Sequence, residues 1–383
     1  MEKLVAYVLT FFLAGIGFFP QTTQEVVFDM TPYQLYDNGS TQTAVALPGG
    51  EGYLHLGSYP GSLGPGTPSS DEQIVRTNAE GSVLWQYAIE RTGDTERGYA
   101  HLLPLPDGSY ATMDMITNES GQIYVFDPGT GLARVSEKLQ VEELFYTSRG
   151  FLLVTRPSDA VLHIQLLDFD FNPVWDAETA HLSGMMMPYA MAEVDDGLVL
   201  LDSAWDKQAG PGMLLRKISL ADGAPVWEAR VRVRGWHPQC IIPDGAGGVL
   251  LFGYRESSTG GPNTGHAMRI DSHGIIVWET PLDIEHFYAQ HVYVNSQGIH
   301  LILPRGGYAY GLSLDIDGHL TNIEARSIGD VAGPGTEFGI NGMTLDEHGK
   351  PIISGYVYSH TGEFFPYTMP YEDIPLAPNA PSL

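Results

Sequence analysis

Short apolar runs, each opened by a glycine, punctuate the chain: Gly52-Tyr53-Leu54-His55-Leu56, Gly108-Ser109-Tyr110-Ala111, Gly150-Phe151-Leu152-Leu153-Val154, Gly197-Leu198-Val199-Leu200-Leu201, Gly248-Val249-Leu250-Leu251-Phe252, Gly298-Ile299-His300-Leu301-Ile302 and Gly349-Lys350-Pro351-Ile352-Ile353. Successive glycines stand 56, 42, 47, 51, 50 and 51 residues apart. The runs are rich in β-branched and aromatic residues and lack helix caps, so they predict strands. Their near-continuous apolarity predicts strands covered on both faces. A first strand precedes the glycine, as at 100–105, 191–194, 291–294 and 342–345. Tight turns such as Pro106-Asp107-Gly108 and Asp195-Asp196-Gly197 join the two, Asp and Gly supplying the local hydrogen bonds and positive φ that such turns need. A third strand follows at 73–76, 123–126, 163–167, 214–218, 267–270 and 312–314. The fourth opens with Gly-x-x-x-Trp at 81–85, 223–227 and 274–278, and Pro173-Val174-Trp175 ends a degenerate copy.

A period near 50 residues built wholly of strands is that of a propeller blade. The pattern predicts an all-β fold, a single seven-bladed β-propeller of four-stranded antiparallel blades. Eight blades would leave too few residues for each, and six would leave one glycine-led unit without a place. The last unit lacks a fourth strand, because Pro375, Pro378 and Pro381 follow Tyr371 and proline cannot occupy a central strand. Glu25-Val26-Val27-Phe28-Asp29 is a strand without a blade. Pairing this N-terminal strand into the last blade closes the ring and removes both exposed edges. The division expected is a signal peptide at 1–22, the propeller at 23–374 and a Pro-rich C-terminal tail at 375–383.

The start of the chain bears on location. Lys3 precedes an apolar stretch at 4–19, and Pro20-Gln21-Thr22-Thr23 follows, the layout of a secretory signal peptide. The rival is an uncleaved anchor, but a span wants roughly 20 apolar residues, and this run is shorter and contains Gly15 and Gly17. Cleavage would leave a secreted, cell-surface or periplasmic protein without a stable membrane span. Cys240 is the one cysteine, so no intramolecular disulfide forms and the fold must rest on core burial. Within Gln239-Cys240-Ile241-Ile242 it reads as a small buried hydrophobe. The net charge of −27 arises from 46 acidic residues against only 19 basic ones. Bases are scarce, and such a surface is repelled by phosphate backbones, which excludes nucleic acid as a partner.

At the hairpins between third and fourth strands the chain resembles the quinoprotein-like propellers with repeats of the pyrroloquinoline-quinone (PQQ) type. Blades of that family often carry Asp-x-x-Thr-Gly-x-x-x-Trp. Asp127-Pro128-Gly129-Thr130-Gly131 matches its first part, with Val135 at the Trp place, while Ser219-Leu220-Ala221-Asp222-Gly223-Ala224-Pro225-Val226-Trp227 keeps the Gly and Trp. The resemblance covers about residues 44–360 and implies the fold. It also implies a structural part for Trp85, Trp175, Trp227 and Trp278, docking one blade against the next. The family's best-known catalytic members hold the quinone with adjacent cysteines and a calcium ion. The single Cys240 departs from that pattern, so no quinone ligand carries over.

Motifs of nucleophilic, zinc and phosphate chemistry are absent: there is no Gly-x-Ser-x-Gly, no His-Glu-x-x-His and no phosphate loop. No cofactor is expected. Calcium is the one metal to weigh, at Asp315 and Asp317 of Asp315-Ile316-Asp317-Gly318, but no bidentate Glu follows at the required distance and a β-turn is favoured. The better lead is positional. In a propeller the loops from fourth to first strands and from second to third strands converge on one face. The first group brings Tyr99, His101, Tyr189, His237, Tyr288 and Glu337, and Tyr-Ala recurs at one repeat position in 99–100, 189–190 and 288–289. The second brings Asp114, Arg156, Trp205, Arg255 and Arg305. Aromatic faces, imidazoles, guanidiniums and carboxylates in one funnel suit a polar organic ligand. The function expected first is a binding or scaffold module for a protein partner or glycan, within an envelope or extracellular assembly. The alternatives are a carbohydrate-active hydrolase or lyase using funnel carboxylates, and a self-assembling building block.

Overall fold

The structure, a computed structural model, describes residues 40–48, 51–58, 72–78, 82–89, 102–117, 120–158, 161–180, 185–195, 197–206, 210–231, 235–256, 261–285, 287, 291–295, 297–305, 307–327, 337–345, 350–358 and 364–377. The strands form seven antiparallel sheets in chain order, the blades of a seven-bladed β-propeller. Blade 1 comprises Ser40–Ala46, Tyr53–Ser58, Glu72–Thr77 and Val83–Ile89; blade 3, Glu143–Thr147, Gly150–Ser158, Val161–Leu167 and Pro173–Ala180. Blade 4 is Met185–Val194, Gly197–Asp206, Gly210–Ser219 and Pro225–Val231; blade 5, Trp236–Pro243, Val249–Arg255, Thr264–Ile270 and Ile276–Glu285; blade 6, His291–Asn295, Gly298–Arg305, Tyr308–Leu314 and Leu320–Ser327. Blade 2 has Leu103–Pro104, Tyr110–Thr117 and Ser120–Asp127, with an outer strand in two pieces, Gly131–Val135 and Leu139–Gln140. The break falls at Ser136, whose backbone N–H donates to Ile123 O (2.9 Å) while its Oγ accepts from Ile123 N (2.9 Å).

The first strands are innermost, since those of blades 3, 4, 5 and 6 lie beside one another in turn. The hydrophobic core is divided: six buried clusters each fill one seam between adjacent blades. This is why second strands read as continuous apolar runs. In Val249–Arg255, Leu250 and Phe252 face blade 6 while Val249 and Leu251 face blade 4. Cys240 is fully buried in the blade 5–6 seam, and burial pushes its thiol up to about 12.

The Gly and Trp of the repeat act together across the seams. Trp85 Nε1 donates to Pro128 O (2.9 Å), Trp175 to Leu220 O (3.1 Å), Trp227 to Ser272 O (2.8 Å) and Trp278 to Ile316 O (3.0 Å), each acceptor lying in the next blade's hairpin. The glycine of that hairpin has positive φ and lies beneath the ring. A Cβ added at Gly223, Gly274 or Gly318 would stand 2.6, 3.1 or 2.8 Å from the rings of Trp175, Trp227 and Trp278. Blade 2 has Val135 where Trp belongs, and the hairpin it faces has Phe171 in place of the glycine, at φ 66°. There Phe171 stacks on Phe151 (5.8 Å) and Arg134 bonds Asp170.

Blade 7 shows Glu337–Leu345, Pro351–Tyr358 and Phe364–Pro370, and the first strand of blade 1 lies against all three. The strand expected to close the ring, at 25–29, is outside the described residues. The tail turns back instead through a 3-10 helix, Tyr371–Asp373, and Leu376 bridges Arg326 on the outer edge of blade 6. Ser327 N donates to Pro375 O (3.0 Å) and Ala377 N to Ala325 O (2.8 Å). Pro375 contributes only its carbonyl, which an edge position permits. Arg326 fastens the turn, donating to Glu372 O (2.9 Å) and Ile374 O (2.8 Å) with its guanidinium 4.9 Å over the Tyr371 ring.

If Trp and glycine form one latch, Gly274→Ala costs about 1–2 kcal/mol through its left-handed backbone, and Trp227→Ala costs about 3 kcal/mol. In urea unfolding the double variant should cost less than the sum by about 0.5 kcal/mol or more. Strict additivity would mean that the two act independently.

Candidate functional site

Residues opposite one another in a ladder share a face, so register assigns each candidate to a seam. In blade 5, Trp236 is opposite Arg255 and His237 is opposite Tyr254. The neighbours His237 and Trp236 therefore serve different seams. His237 and Tyr254 turn towards blade 6: Tyr254 packs on the blade 5–6 core, and the two rings stack at 4.9 Å and 18°. Glu256 Oε1 lies 3.0 Å from His237 Nε2. Blade 6 presents Tyr308 and buried Tyr310 to the same seam. Arg305 is opposite Tyr308 in the ladder and donates from Nη1 to Glu285 O (3.1 Å) at the end of blade 5. Burial raises the Tyr310 hydroxyl's pKa, and the nearby Arg305 charge opposes the rise. The upper part of this seam thus holds a stacked imidazole–phenol pair, a carboxylate, two further tyrosines and a guanidinium. Among the described residues, His237 and Arg305 are the two sequence candidates whose contacts assign them to one seam.

The opposite face of blade 5 turns towards blade 4. Trp236 packs in the blade 4–5 core, and its ring is 5.2 Å from that of His266. His266 Nε2 is 2.7 Å from Glu279 Oε1. Burial lowers the pKa of His266, the Glu279 hydrogen bond opposes the fall, and the Arg255 charge adds to it. Arg255 itself is exposed.

In blade 3, the backbone N–H of Arg156 donates to Glu142 Oε1 (2.9 Å), and its guanidinium lies 3.8 Å from Glu142 Oε2. Beside them Glu143 opens the innermost strand, and burial together with the Glu142 charge raises its pKa to about 7. Across the blade 3–4 seam, Asp202 is fully buried. Its Oδ2 is 3.4 Å from Arg216 Nε, and Arg216 Nη1 reaches Thr179 of blade 3 (3.1 Å). Burial pushes Asp202 up to about 7, Arg216 opposing the rise and Glu228 adding to it.

Asp114, Tyr189, Trp205 and Glu337, expected in loops at strand ends, lie instead within the strands Tyr110–Thr117, Met185–Val194, Gly197–Asp206 and Glu337–Leu345, with side chains outside the description, while Tyr99, His101 and Tyr288 are outside the described residues. Sequence reasoning missed Glu142, Glu143, Asp202, Trp236 and His266. Aligning 142–143 with the other first-strand starts would have found the first two; no pattern marks the others. The Asp315 carboxylate accepts from the backbone N–H groups of Asp317 (3.0 Å) and His319 (2.8 Å), serving its own β-turn. Among the described residues no group of three His, Cys, Asp or Glu side chains is placed to hold a metal ion, and no helix is long and apolar enough to cross a membrane.

No protein-family model matches the chain, and a comparison with curated proteins finds no match. Solved structures do resemble it. The β-propeller domain of the Trilobed protease from Pyrococcus furiosus superposes with a TM-score of 0.52 at 14% identity, over 83% of this chain and 89% of that one. Kuenenia stuttgartiensis hydrazine synthase gives a TM-score of 0.52 at 11% identity, over 91% of this chain and 99% of that one. At these identities the likeness is one of fold: it supports a propeller, an architecture of binding and scaffold modules, and leaves the PQQ-type resemblance at the level of architecture.

Asp202 should make stability depend on pH. Its carboxyl holds a proton to about pH 7 when folded but only to about 3.9 when unfolded. The folded state binds more protons between these values, so stability falls as pH rises through that window, by on the order of 4 kcal/mol at most. Asp202→Asn should flatten this slope in denaturant titrations from pH 4 to 8; an unchanged slope would remove Asp202 as its source.

Proposed function

We propose that the chain is a non-catalytic binding module, secreted or held at the cell surface, which takes a protein partner or glycan at the blade 5–6 seam that His237, Tyr254 and Arg305 share. The observation that carries this reading is the cluster of polar and aromatic side chains at the blade 5–6 seam. A stacked imidazole–phenol pair offers a flat surface to a sugar ring or peptide group, and Arg305 and Glu256 offer charged hydrogen bonds beside it. The division of histidines supports binding over catalysis. His237 and His266 each have their own glutamate, on opposite faces of one sheet, so they do not converge on a reacting atom. Secretion rests on the leader-like start at 1–22.

One observation favours a second reading, a glycoside hydrolase. Glu143 keeps a proton to about pH 7 beside Glu142. Glycoside hydrolysis needs a carboxylic acid that keeps its proton near neutral pH as donor, with a second carboxylate across the scissile bond, and this reading gives Glu143 the donor's part.

A glycan array combined with native co-purification tests both. Under the binding reading, Arg305→Ala should weaken capture about tenfold to a hundredfold, as expected for one lost charged hydrogen bond, and His237→Ala should also weaken it, with the bound glycan recovered intact. Cleavage of the glycan that is abolished by Glu143→Gln would favour the hydrolase. Neither ligand nor partner would point to self-assembly.

A further inference from the structure

Five tryptophan side chains are described. Four donate Nε1–H to a carbonyl 2.8–3.1 Å away. Trp236 is the exception: its Nε1 is buried without a partner among the described residues, and so is Nδ1 of His266 beside it. Both side chains are more than nine-tenths buried, at 3% and 2% exposure. The buried apolar cluster that holds Trp236 includes Ala190, Met213 and Val231 of blade 4. Buried polar atoms are nearly always satisfied, so two unmet nitrogens in one seam call for an explanation.

Their chemistry specifies what would satisfy them. An ionised carboxylate only accepts, so the 2.7 Å contact with Glu279 places the His266 proton on Nε2. Burial favours the neutral ring, leaving Nδ1 as an acceptor. Trp236 Nε1 can only donate. A hydroxyl oxygen accepts from one nitrogen and donates to the other. Arg255 stands opposite Trp236 in the ladder, exposed, and near enough for its charge to bear on His266. Its planar guanidinium suits a carboxylate.

We propose that the blade 4–5 seam is a binding site for a hydroxy-carboxylate, a uronic acid or a smaller hydroxy acid, whose hydroxyl bridges Trp236 Nε1 and His266 Nδ1 and whose carboxylate meets Arg255. The site is separate from the blade 5–6 seam and does not rest on the function proposed for it.

Calorimetry and thermal unfolding of the full chain with D-glucuronate and glycolate test the proposal, with acetate and glycerol as controls that each lack one of the two groups. At least one hydroxy acid should raise the unfolding midpoint in a dose-dependent, saturable manner, and neither control should match it. Trp236→Phe keeps the ring and loses the N–H, and should weaken binding about tenfold. Arg255→Gln, a change at an exposed position, should weaken it by at least as much. No shift with either acid, as an ordered water bridging the two nitrogens would give, overturns the proposal. So does a shift retained in full by Arg255→Gln or by a folded Trp236→Phe.

Discussion

The constraint on which the ring depends is the docking of a tryptophan from one blade onto the hairpin glycine of the next. A blade is a small sheet with two apolar faces, and each face must find a neighbour at a fixed distance and rotation. The indole sets both, because its Nε1 fixes position through a hydrogen bond and its ring occupies the space a Cβ would need. Glycine there answers two demands, the positive φ of the turn and the closeness of the ring. Where the tryptophan is absent, as at Val135, the facing glycine is absent too, and Phe171 and Arg134 provide a different contact. The latch is therefore a pair property, carried by residues some 45 positions apart.

Because the core is divided into seams, the upper ends of the seams become separate chemical compartments. Neighbouring residues on one strand point into different compartments, so Trp236 and His237 belong to different sites. The scarce bases follow this division. Arg156 meets Glu142, Arg255 lies near His266 and Arg305 reaches the end of blade 5.

Much of the architecture was legible in the chain. The glycine-led apolar runs marked every second strand, and the Gly-x-x-x-Trp spacing marked outer strands, because strand burial and turn geometry impose local demands on residue type. The candidate site was legible only in part. His237 and Arg305 were picked out by their position at strand ends and fall at one seam, while Asp202 and His266 were not picked out, because nothing local distinguishes a polar residue buried in a seam from one in solvent. The tail shows the same limit. Its prolines excluded a central strand, but not the edge place that Pro375 takes on blade 6 through its carbonyl.

The sequence by itself determined the repeat, the number of blades, the strand class and the burial of Cys240, since each follows from periodicity and hydrophobicity read along a few residues. Only the tertiary structure decided which Trp meets which Gly, which face of blade 5 each histidine serves, and which carboxyls are removed from water. Those properties depend on distances between segments roughly one blade apart, and on the ladder register that turns alternate side chains to opposite faces. Local sequence does not encode either.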